Sequence, residues 1–109
     1  MSDEVERVLD RWLKDIKAGG DKHKLSLAAV RTLHEVGAPS AITREVSRLA
    51  AIAAVDKQID QVGWSKEQLA LLKASRALLV ANRPAEEIMP LADMLHDQSG
   101  KGHRRAAQT

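Results

Sequence analysis

Between Ser65 and Asn82 the chain reads SKEQLALLKASRALLVAN, and both ends of that run are written into it. Ser65 with Gln68 forms an S-x-x-Q capping box. In that device the Ser hydroxyl accepts a backbone N–H, and the Gln side chain accepts the Ser N–H in return. Trp64 before the cap and Leu69 at the fourth helical position are placed to clasp the helix entrance as a hydrophobic staple. Asn82 suits a left-handed C-terminal position, and Pro84 cannot prolong the run. A stretch delimited in this way is a helix, and its faces dictate what must surround it.

At about 100° per residue, Ala70, Ala74, Ala77 and Ala81 share one narrow stripe. Leu72 and Leu79 lie well round to another side, with Leu69 and Val80 near them. Lys66, Lys73 and Arg76 form one polar strip between these faces, and Gln68, Ser75 and Asn82 form the other. A helix that is apolar over most of its circumference is buried over most of it. The alanines let a neighbouring helix come close, because little side chain holds it off. Either other helices of this chain cover both faces, or a second subunit covers one. Ala70, Ala74, Ala77, Ala81, Leu72 and Leu79 are therefore the candidate interface for a partner or a homodimer.

The rest of the chain has the same grammar. Asp3 and Glu6 make a second possible capping box. After them Val5, Val8, Leu9, Trp12, Leu13 and Ile16 repeat at helical spacing. Acids at the start of this helix and Lys14 and Lys17 at its end complement its dipole. Gly19 and Gly20 stop it. Ser26 is the predicted cap of a second helix, with Leu25 and Val30 as its staple, and Gly37 followed by Ala38-Pro39 ends it. His34 falls near the inner face, where a lone His is ordinarily a packed or rim residue.

A third helix is predicted from Ser40 to Gly63. Ile42, Val46, Leu49, Ile52, Val55, Ile59 and Val62 step along it by three and four. Its short connection to Ser65 makes the two runs antiparallel neighbours. Ser40–Gly63 and Ser65–Asn82 thus form a long central helical hairpin, expected to pack through the alanines. A tight turn at Pro84–Glu87 and a last helix to about Asp97 follow, with Pro90 in the tolerated first turn. Ser99-Gly100-Lys101-Gly102-His103-Arg104-Arg105 lacks apolar periodicity and reads as a basic, disordered tail.

These elements make an all-α fold, a compact bundle of about five helices. The 109 residues divide into a single helical domain over 1–98 and a tail over 99–109. Only 2% of the chain is aromatic, as two Trp, which leaves a β-sandwich or a base-stacking sheet without its usual residues. There is no Cys, so disulfides, Cys-ligated zinc and thiol chemistry are excluded. No signal peptide is visible and no apolar run has the length of a membrane span, which predicts a cytoplasmic protein that does not enter membranes. A formal net charge of +2 does not by itself imply nucleic acid.

No motif specifies a reaction, and no catalytic residue or cofactor is assigned. Asp93 and His96 have the carboxylate-x-x-His spacing of helix-bundle metal sites, but those sites need a second such motif and two further carboxylates. They are weak metal candidates. Helices over 25–36 and 40–49, joined by the Gly-Ala-Pro corner, have roughly the lengths of a helix-turn-helix unit. That reading makes Arg44 and Arg48 contacts to phosphates or base edges. Lys22, Lys24, Arg104 and Arg105 lie on the connector and tail, where they would follow phosphates without reading sequence. Pro in the turn and the length of the third helix argue against this unit. The expected function is that of a small non-catalytic interaction or adaptor protein, homodimeric and binding an unknown protein. A nucleic-acid-binding regulator is the alternative, and a small helical-bundle enzyme or metal-binding protein is the third.

Overall fold

Asp21, Ser65, Gly37 and Asn82 set both ends of α2 (Lys22–Glu35) and of α4 (Lys66–Val80), each through a hydrogen bond that it makes or allows. The computed structural model describes residues 3–108, with side chains from 3 to 96. Its helices are α1 (Asp3–Lys17), α2 (Lys22–Glu35), α3 (Ser40–Ile59), α4 (Lys66–Val80) and α5 (Ala85–Gln108). No strand occurs among the described residues, and the chain is all-α as its periodicity predicts.

Three helices stop by one device. After α2, the Gly37 N–H donates to the His34 carbonyl and the Ala38 N–H reaches back to the Leu33 carbonyl. After α4, Asn82 and Arg83 make the same pair of bonds to Leu79 and Leu78. After α1, Gly19 and Gly20 repeat it on Ile16 and Asp15. This is the Schellman arrangement, which needs a left-handed residue just past the helix. Gly37 has φ of 71° and Asn82 has φ of 55°, so the sequence expectation for Asn82 holds. Gly20 is needed for a different reason. A Cβ there would stand 2.9 Å from the Asp15 carbonyl oxygen, backbone that has no freedom to retreat.

Two compact units share the chain, Met1–Ala54 and Val55–Thr109. In the first, α1 packs on α2, and one core gathers Val5 of α1, Ala29 and Leu33 of α2, and Val46 of α3. Leu33 is completely buried. Val8, Leu9, Trp12, Val30 and Ile42 pack around that core. Full burial of an aliphatic side chain such as Leu33 contributes roughly 1.5–3 kcal/mol, and the partly buried ones less. The Trp12 indole N–H donates to Ser26 Oγ at 3.0 Å, which ties α1 to α2 through the one polar atom of the ring.

That bond corrects the predicted start of α2. The helix begins one turn earlier, at Lys22, with Asp21 as its cap accepting from the Lys24 N–H at 3.0 Å. Asp caps as well as Ser. Ser26 is then free to lie inside the helix, where it is buried against Trp12.

In the second unit α4 packs on α5. Leu72 and Ser75 are the buried residues of α4, and Ile88, Leu91 and Leu95 of α5 are half-buried. The capping box of α4 is complete. Gln68 N–H donates to Ser65 Oγ at 3.1 Å, and Ser65 N–H donates to Gln68 Oε1 at 2.9 Å. The end of α3 is held to α4 by Arg76, whose guanidinium makes two hydrogen bonds to the Asp56 carboxylate.

Three other bounds differ from the sequence reading. α3 stops at Ile59 rather than Gly63. Gln61 already makes a tighter bond to Gln58, and Gly63 turns the chain with φ of 97°. Val62, placed by spacing on the apolar stripe, is 99% exposed. Second, α5 begins at Ala85, which puts Pro90 inside the helix instead of in its first turn. Third, α5 continues to Gln108 past the expected stop at Asp97. Lys101, Arg104, Arg105, Ala106 and Ala107 favour helix without needing a partner face, against a cost of about 1 kcal/mol for each of Gly100 and Gly102.

Candidate interaction surfaces

α4 sorts its two apolar faces by size. Leu72 is 1% exposed and Leu79 is half-buried, so the leucine side turns into the second unit. Ala70, Ala74, Ala77 and Ala81 are all exposed. The expectation of a hairpin packed through the alanines is therefore corrected. A leucine removes far more apolar area from water than an alanine, and the larger face takes the interior. Leu72 is consumed within the chain and leaves the candidate interface, whereas the four alanines remain available. Because Leu72 and Leu79 lie roughly opposite the alanines around the helix, the stripe runs along the outer side of α4. Val80 is 52% exposed but lies beyond the Lys66 and Lys73 strip, outside the alanine stripe. Lys66 and Lys73 border the stripe on one side and Glu67 on the other, all exposed.

The α2–α3 corner offers less to nucleic acid than its sequence suggests. Arg44 and Ser47 are exposed. Thr43 is buried, and its hydroxyl approaches the Pro39 carbonyl at 3.5 Å. The Arg48 guanidinium makes a two-pronged contact with the Glu45 carboxylate of the preceding turn. That donation holds the Glu45 carboxyl below its ordinary range and raises Arg48, because each charged form is favoured by the other. Of the two predicted contacts on α3, Arg44 is presented to solvent and Arg48 is occupied with Glu45.

Lys22 and Lys24 are exposed in the first turn of α2, a helix with no acidic residue there. Arg104 and Arg105 fall on the α5 backbone, and their side chains lie outside the described part. Asp93 and His96 are both exposed on α5. Among the described residues no three potential ligands converge on a point. His34 is exposed, beyond the packed face on which its spacing bordered.

One feature had no signal in the sequence. Between α1 and α2 opens a groove of about 200 Å³, walled mainly by Val8, Trp12, Leu25, Ala28 and Ala29 with Arg11 and Asp15 at the rim. Its lining comes from two helices, a juxtaposition that periodicity along each helix does not reveal. Trp12 contributes its ring to this wall, while its N–H is already bound to Ser26.

No helix among the described residues is long and apolar enough to cross a membrane. No protein-family model, curated protein or solved structure matches this chain.

Proposed function

We propose that this chain is a small, non-catalytic helical interaction protein that pairs with a second copy of itself through the outer face of α4 and so presents its remaining surfaces to another protein. The observation that carries the reading is the exposure of Ala70, Ala74, Ala77 and Ala81 on the side of α4 away from Leu72. Small side chains in a continuous stripe let two helix backbones approach closely. The absence of Cys suits a reducing compartment, and the reading sets the protein's work in the cytoplasm.

Sedimentation of the full chain at micromolar concentration tests the pairing. The expected result is a dimer mass for the native sequence. Ala77→Arg is expected to give a monomer with unchanged helical content, since the position is exposed within one chain. A charge left unpaired in a helix–helix interface costs about 3–5 kcal/mol, so the dissociation constant should rise at least a hundredfold. A monomeric native chain at high concentration overturns the reading.

The alternative keeps one supporting observation, the exposed Arg44 near the start of α3. DNA retention that weakens as salt rises, and that Arg44→Ala abolishes for one sequence only, would put a recognition unit in place of the dimer. Retention that is lost on truncation after Gly100, for all sequences alike, would instead mark simple attraction of the basic C-terminal residues to phosphate.

A further inference from the structure

We draw no further inference here: the strongest candidate, the open groove between α1 and α2 walled by Val8, Trp12, Leu25, Ala28 and Ala29, is an apolar surface for which nothing in the structure shows what covers it.

Discussion

Trp12 and Ser26 show how a single hydrogen bond decides the placement of two residues. An indole ring gives most of its area to packing and has one N–H to satisfy. A serine one turn inside α2 supplies the acceptor; Ser26 is buried and the Trp12 ring half-buried beside it. Replacing Trp12 with Phe keeps most of the ring but leaves the buried Ser26 oxygen without this donor. We expect a loss of about 1–2 kcal/mol, read as a lower urea midpoint. An unchanged midpoint would mean that the bond contributes nothing net. The exposed ion pairs act differently. Arg83 donates twice to Glu87, at 2.8 and 2.6 Å, as Arg48 does to Glu45. Both carboxyls are held below their usual range by the arginine hydrogen bonds. A carboxyl whose folded pKa is depressed favours the folded state above its unfolded value, and that contribution fades as the pH falls through the folded one. Solvent screening makes the effect on stability small, so the better readout is the titration itself. Arg48→Gln should return the Glu45 carboxyl to the ordinary range in a carbon-detected NMR titration, while Glu87 stays where it was. Movement of both would point to a general field rather than to the local donors.

At the scale of the element, what was legible in the sequence divides by the range of the interaction that sets it. The capping box of Ser65 and Gln68 and the left-handed Asn82 and Gly37 involve residues a few positions apart, and each formed as the spacing predicts. The start of α2 did not follow its predicted cap: it was expected at Ser26 and stands at Asp21. Asp21 and Ser26 are both good caps, and the choice turned on Trp12, fourteen positions away from Ser26. The end of α3 has the same character. Trp64 donates its indole N–H to the Gln58 carbonyl at 2.6 Å, a bond to the last turn of α3 that the local spacing does not predict. Which side of α4 turns inward was likewise invisible, because a helical wheel shows two apolar faces without saying what meets them. Of the candidate interface residues, the four alanines stand exposed and Leu72 does not. Pro90 offers a direct test of an element out of step with its sequence. Inside α5 it has no N–H to give the Glu86 carbonyl, the acceptor four positions back. Pro90→Ala should lengthen the continuous hydrogen-bonded run and stabilise the helix by about 1–3 kcal/mol, seen as a higher melting temperature and stronger far-ultraviolet helical signal. A lower melting temperature would show that Pro90 itself is needed for α5 to seat Ile88, Leu91 and Leu95.

At the scale of the molecule, the boundary between the two compact units falls inside α3, after Ala54. The sequence shows no break there, since Ala50, Ala51, Ala53 and Ala54 continue the helix without Gly or Pro. Local pattern cannot reveal such a division, because it depends on which distant residues each part of α3 touches. Leu33 is the completely buried centre of the first unit, and Leu33→Ala is expected to cost about 2–5 kcal/mol. Native-state amide exchange should then speed up through α1, α2 and the start of α3, and much less in α4 and α5. Equal acceleration along the whole chain would show one cooperative domain, as the sequence reading of 1–98 expects. The same division has an optical consequence. The two tryptophans are the chain's whole aromatic complement, and they fall one to each unit, at 12 and 64. Each indole N–H is engaged by a different acceptor, a hydroxyl in one case and a backbone carbonyl in the other. Their emission is not overlaid by tyrosine, so a pair of single-tryptophan variants would let each half of the protein announce its own unfolding by colour.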